Sequence, residues 1–283
     1  MADHDPLPFP GEQHRPRRQG AKIRQALTAR KLPLNRLVPN MLTLLALCSG
    51  LTGIRFAFQL RFEPAIIAIL VAAALDTVDG RVARLLKSAN RFGAELDSLA
   101  DAVSFGVAPA LILFLWSLRD AGDFGWCAAL VFAVCCALRL ARFNTMLDAP
   151  HDESHAWTKA YFVGVPTPAG AGLALLPMIL SFEFPEVLNI DFNLHLNLPP
   201  RVLACWLLFV GALMVSRLPT FSMKGIRVPV SYLVPLFVAV GLLGAALATN
   251  TWFTLGLVGI AYLALLPISW WTYRRHERSA SPD

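Results

Sequence analysis

Residues 76–101 read DTVDGRVARLLKSANRFGAELDSLAD, and the fold follows from this stretch. It holds four aspartates, Asp76, Asp79, Asp97 and Asp101. In a helix, residues three and four apart share a face. Asp76, Asp79, Gly80, Ala83 and Arg84 therefore form one stripe, and Gly93, Asp97 and Asp101 form another. Two helices joined by a short turn can bring the stripes together and converge the carboxylates on one point. Each pair abuts an apolar run long enough to enter a membrane. A charged side chain at membrane depth costs about 2.5–3.5 kcal/mol on insertion scales, so acids gathered there and facing one way require a cation.

The rest of the chain agrees with a membrane setting. Of its 283 residues 56% are hydrophobic and 16% charged, too apolar for an ordinary soluble domain. The apolar residues come in runs of about 15–24, the length that crosses a bilayer as a helix. The expected fold is all-α: a polytopic membrane bundle of about eight transmembrane helices preceded by an amphipathic juxtamembrane helix. The expected spans are 38–60, 64–86, 93–118, 124–140, one opening at 162–172, 202–216, 229–248 and 252–273. The first aspartate pair falls at the end of the second span and the second pair at the start of the third.

Four regions are expected. Residues 1–20 are polar, rich in Pro and Arg, and read as a disordered basic tail; no apolar core follows Met1, so no cleavable signal peptide is expected. Residues 21–36 space Ile23, Leu27, Leu32 and Leu34 against Lys22, Arg24, Arg30 and Lys31, the pattern of a basic helix on an anionic membrane surface. Residues 37–273 form the membrane domain, and 274–283 a polar C-terminal tail.

Charge sets the orientation. With eight spans, 21 of the Lys and Arg residues fall on the side of the termini and 3 (Arg61, Arg119, Arg201) on the other. The positive-inside rule then places both termini, and with them the aspartates, at the cytoplasmic face of the inner membrane. The net charge of +6 is explained by these span-flanking residues, so no nucleic-acid partner is expected. Arg55, inside the first span, is expected to snorkel or pair with an acid. The five cysteines lie inside apolar runs without CxxC spacing and read as packing residues rather than a disulfide or zinc site.

Oxygen ligands without His or Cys suit a hard divalent cation, Mg²⁺ or Mn²⁺. Four carboxylates are more than one Mg²⁺ usually takes, and two-metal sites clamp phosphate oxygens. Arg84 adds a fork for phosphate, and Gly80 and Ala83 leave room for a pyrophosphate to approach the helix. A transport pathway is the competing class, but transport sites draw on several discontinuous helices at mid-membrane. Here the polar groups gather on one hairpin at one face.

These residues also carry a family resemblance. The pattern D-x2-D-G-x2-A-R-x8-G-x3-D-x3-D, matched in full by Asp76, Asp79, Gly80, Ala83, Arg84, Gly93, Asp97 and Asp101, resembles the signature of CDP-alcohol phosphatidyltransferases. Within that family PNMLTLLALCSG, GAELDSLADAVSFGVAPA, LARFN, FVGVPTPAGAG and SRLPTFSMK look like the membrane-integral (type II) phosphatidylserine synthases of bacteria and archaea. The likeness spans residues 38–224; Val165-Pro166-Thr167 stands where Leu-Pro-Ser is expected.

The resemblance implies that CDP-diacylglycerol and L-serine give phosphatidylserine and CMP. It implies two Mg²⁺ or Mn²⁺ ions on Asp76, Asp79, Asp97 and Asp101, with Asp97 and Asp101 catalytic and Asp101 also the general base. Asp76, Gly80, Ala83 and Arg84 would contact the CDP moiety, joined by Asn40 and Thr43, which share a face at the start of the first span. A homodimer is expected on the same ground. Attack by the serine hydroxyl needs no protein nucleophile, so a sequential mechanism is expected. The serine carboxylate needs a cation, for which Arg142, Arg217 and Lys224 are candidates, with Ser98 a further polar contact. Another acceptor alcohol, glycerol 3-phosphate, inositol phosphate or choline, is the alternative. Ala102 follows Asp101 where phosphatidylglycerolphosphate synthases commonly carry lysine.

Overall fold

The computed structural model describes residues 37–86, 91–148, 161–183, 199–216, 219–221 and 233–280. The tail at 1–20, the amphipathic helix expected at 21–36, Arg217 and Lys224 lie outside the described residues. Eight long helices occur among the described residues: α1 (Leu37–Phe58), α2 (Phe62–Leu85), α3 (Arg91–Trp116), α4 (Asp123–Asp148), α5 (Thr167–Glu183), α6 (Pro200–Val215), α7 (Leu233–Thr249) and α8 (Thr251–Ala280). Among the described residues α1, α3, Asp123–Thr145 of α4 and Thr251–Ser269 of α8 are long and apolar enough to cross a membrane. α2 has the length, 24 residues, but carries Glu63, Asp76, Asp79, Arg81 and Arg84. Helices α5 and α6 are apolar but shorter. The protein is a helical membrane bundle whose apolar perimeter, including Leu45, Val71, Leu138, Val240 and Leu257, is exposed as a lipid-facing surface requires.

Small residues bring α1 and α2 together. Ala46, Gly50, Gly53 and Ala57 are the buried stripe of α1, and a Cβ at Gly53 would meet the Ala65 carbonyl oxygen of α2 at 3.1 Å and the Ala68 Cβ at 3.5 Å. In lipid, where no hydrophobic force joins helices, such stripes let backbones approach and maximise dispersion contact. Ser49 Oγ donates to the Ala68 carbonyl across this contact at 2.7 Å. Arg55 ends exposed in the last turn of α1.

The third span departs from a plain α-helix. Directly after Asp101, residues Ala102–Val107 form a π-helical turn, with Ser104, Phe105 and Gly106 buried. Such turns insert an extra residue and re-aim the side chains on either side. Here close neighbours hold it: Ser104 Oγ donates to the Ala46 carbonyl at 3.4 Å, and a Cβ at Gly106 would come within 2.9 Å of Cys136. The span also ends earlier than expected, at Trp116, because Leu118–Ala121 tighten into a 3₁₀ turn before Gly122 at φ 63°.

A Cβ at Gly50 would lie 2.9 Å from the Ser104 Cα. Gly50→Val is therefore expected to destabilise the fold by about 1–3 kcal/mol through overpacking. The check is thermal unfolding in detergent; an unchanged unfolding temperature would contradict the close approach of α1 to the π turn.

The fifth helix begins later than expected. Tyr161–Val163 pair antiparallel with Pro219–Phe221, in register Tyr161 with Phe221, so a short ribbon (β1 and β2) precedes α5 and adds the only strands among the described residues to an otherwise helical fold. Gly164 at φ 79° breaks the chain between strand and helix; a Cβ there would meet the Met214 carbonyl oxygen at 2.6 Å. Inside α5, Pro177 cannot donate to the Leu173 carbonyl. The indole Nε1 of Trp206 on α6 donates to that carbonyl instead, at 3.0 Å, which satisfies a backbone acceptor that lipid could not. At the chain's end α8 continues as helix to Ala280, through the region expected to be a polar tail.

Candidate active site

Helices α1, α2 and α3 pack on one another, and this places the two aspartate stripes face to face. Carboxylate oxygens of Asp76, Asp97 and Asp101 all lie within 4.8 Å of one another, and the side chains of Asp76 and Asp101 are in hydrogen-bond contact. Two charges at that separation repel by at least about 3.5 kcal/mol at an effective dielectric of 20. The trio therefore requires a positive charge or a shared proton between its members. Half-buried oxygens at this spacing, without His or Cys, are the donor set of a hard divalent cation.

The fourth acid is placed differently. Asp79 is buried and its Oδ2 accepts from the Thr43 hydroxyl at 2.8 Å. Thr43 Oγ1 also lies 3.1 Å from the Pro39 carbonyl in its own helix; with one proton to give, the shorter contact to the carboxylate is the stronger. The Gly80 amide donates to Asp79 as well. The structure thus gathers three of the four acids and ties the fourth to α1. Asn40, a turn before Thr43, is half-buried.

Gly80 faces open space: a Cβ there would have no heavy atom within 4 Å. Arg84 folds back along α2, its Nε donating to the Gly80 carbonyl at 2.9 Å, and remains exposed. An exposed guanidinium therefore stands next to a gap in the helix surface beside the acids. Ala83 is half-buried.

The residues suggested for the acceptor fall elsewhere. Ser98 donates to the Ala94 carbonyl at 3.1 Å and accepts from Asn144 Nδ2 at 2.9 Å, joining α3 to α4. Both border a groove of about 410 Å³ with Glu95, Leu99, Ala102 and Thr145. Arg142 donates to the Val215 carbonyl at 3.4 Å, where a cation favours the C-terminal end of α6. Ser104 is a packing residue of the π turn.

Two polar residues were missed in the sequence. Arg139, on α4, donates through Nη1 to the buried Thr167 hydroxyl at 2.7 Å and lies within electrostatic reach of Asp101 and Tyr262. It read as one more span-flanking charge; the signal was its place within an apolar helix, two residues before ARFN. Tyr262 was hidden within the last apolar span. The Thr167 departure from the expected serine keeps the hydroxyl that Arg139 uses.

The family model described as CDP-alcohol phosphatidyltransferase matches residues 36–210, which include every one of these acids. The chain belongs to the CDP-alcohol phosphatidyltransferase family. A second model of this kind, CDP-alcohol phosphatidyltransferase 2, matches residues 231–267. Several relatives bear the name CDP-diacylglycerol–serine O-phosphatidyltransferase. The protein of Mycobacterium leprae is 36% identical over 234 residues, 83% of this chain and 74% of its own length. That of Helicobacter pylori strain 26695 is 33% identical over 195 residues, 68% of this chain and 76% of its own. That of Saccharomyces cerevisiae is 48% identical over 109 residues, 38% of each chain.

Proposed function

We propose that this CDP-alcohol phosphatidyltransferase is a phosphatidylserine synthase, transferring the phosphatidyl group of CDP-diacylglycerol to the hydroxyl of L-serine. The observation that carries this is the convergence of Asp76, Asp97 and Asp101 beside the open face of Gly80, in a chain whose relatives are named for that reaction. One P–O bond forms, from the serine oxygen to the phosphorus bearing diacylglycerol, and one breaks, releasing CMP. Asp101 takes the hydroxyl proton. Gly80, Ala83 and Arg84 receive the CDP pyrophosphate, with Asn40 and Thr43 on the adjoining face of α1. No protein nucleophile takes part.

Asp76, Asp97 and Asp101, with Asp79 on the same helix as Asp76, would hold two Mg²⁺ or Mn²⁺ ions. Bound there, divalent ions neutralise the charge that develops on the departing phosphate. Eight crossings of the inner membrane, both termini and the site at the cytoplasmic face, and a homodimer complete the proposal. The 21 to 3 distribution of basic residues supports that orientation.

The test is CMP release by purified protein from CDP-diacylglycerol with serine, glycerol 3-phosphate, inositol phosphate or choline, each with Mg²⁺, Mn²⁺ or excess chelator. Turnover is expected with serine alone, lost on chelation and restored by the metal. Release independent of serine, or faster with another acceptor, would overturn the assignment.

A further inference from the structure

Arginine inside an apolar helix is costly and needs a partner for each donor it buries. Arg139 has one such partner, Thr167 Oγ1 at 2.7 Å. Its Nε is buried with no hydrogen-bond partner, and so is the hydroxyl of Tyr262, among the described residues. Buried polar groups without partners are rare in folded proteins, and each needs an explanation. These two belong to one place: Arg139 of α4 and Tyr262 of α8 lie within electrostatic reach of each other, and Asp101 of α3 is within reach of Arg139. Thr167, at the first turn of α5, closes the group.

We infer that Arg139, Thr167 and Tyr262 form the subsite for the acceptor's carboxylate, a deepening that rests on the serine-dependent reaction proposed above. The guanidinium is planar and presents a fork of donors that fits a carboxylate. The Tyr262 hydroxyl, within electrostatic reach of it, supplies another. The neighbourhood of Asp101 suits the ligand: serine is short, and its carboxylate lies few bonds from the hydroxyl that Asp101 deprotonates. The phosphates have their own cation in Arg84, on the exposed face of α2 beside Gly80. Arg142 already donates to the Val215 carbonyl. A bound carboxylate would satisfy both orphan donors at once and balance a half-buried positive charge.

Serine and serinamide, its carboxylate-free analogue, separate this reading from a structural one. In Tyr262→Phe the serine KM should rise about 10-fold, the loss of one hydrogen bond. The kcat and the KM for CDP-diacylglycerol should be unchanged and the unfolding temperature not lowered. In Arg139→Gln, kcat/KM for serine should fall about 100-fold with serinamide turnover little affected, and Arg139→Lys should recover part of the loss. Proportional losses with both acceptors would make Arg139 a counter-charge for Asp101 and overturn the subsite, as would an unchanged serine KM in Tyr262→Phe. A wild type that is active with serine while these variants keep its serine-to-serinamide ratio overturns the subsite alone. A wild type that releases no CMP with serine overturns the proposed function and the subsite together.

Discussion

Asp97→Asn is expected to reduce CMP release at least 1000-fold, about 4 kcal/mol of lost transition-state stabilisation, while the protein stays folded. Asp97 is the one member of the trio that stands on α3 a turn before Asp101, with its oxygen within 4.8 Å of both Asp76 and Asp101. Asparagine keeps its volume and shape, so α1, α2 and α3 can still pack. Removing one of three mutually repelling carboxylates does not weaken the fold in the absence of a cation, and it deprives a cation of a charged ligand. Two measurements are needed together. Turnover reads the chemistry. The rise in unfolding temperature on adding Mg²⁺ or Mn²⁺ reads binding to the folded state, and the variant should show a smaller rise than the wild type. Turnover within tenfold of wild type would remove Asp97 from the site.

Gly80→Leu is expected to lower kcat/KM for CDP-diacylglycerol by more than 100-fold, with the unfolding temperature within a degree or two of wild type. The contrast with Gly50 gives this prediction its force. Both glycines lie in the helices that build the site, but a Cβ at Gly50 meets Ser104 whereas a Cβ at Gly80 meets nothing within 4 Å. The first glycine is needed for packing. The second is not, and leucine, a better helix former, should if anything favour α2 by a few tenths to about 1 kcal/mol. What leucine removes is the open space between Arg84 and the acids. Loss of activity without loss of stability would locate the donor substrate there. Gly80→Leu with normal turnover would move it elsewhere, and a collapse in stability would show that the space is filled in the folded protein.

Asp76, Asp97 and Asp101 were legible as a cluster because helical periodicity alone puts them on facing stripes, and because acids beside apolar runs stand out against their cost. Arg139 and Tyr262 were not, because a lone basic or hydroxyl residue in an apolar run carries no periodic signal; only the packing of α3, α4, α5 and α8 makes them neighbours. The late start of α5 was signalled locally by Gly164 and Pro166. The pairing of residues 161–163 with 219–221 joins segments far apart in the chain, which local pattern does not report. The Arg142 candidate illustrates the same limit, since its partner, the Val215 carbonyl, lies on another helix.

The sequence by itself determined the membrane bundle and the acidic hairpin, since each follows from hydropathy or a spacing of three and four residues. Only the tertiary structure decided how residues 76–101 divide their labour. Helix α1 approaches α2 closely enough, through Gly53, for Thr43 to hold Asp79, leaving Asp76, Asp97 and Asp101 to converge. The π turn after Asp101 lies against that same stretch of α1. Which carboxylate meets which partner depends on backbone distances between helices, and those are set by small side chains packing across the bundle.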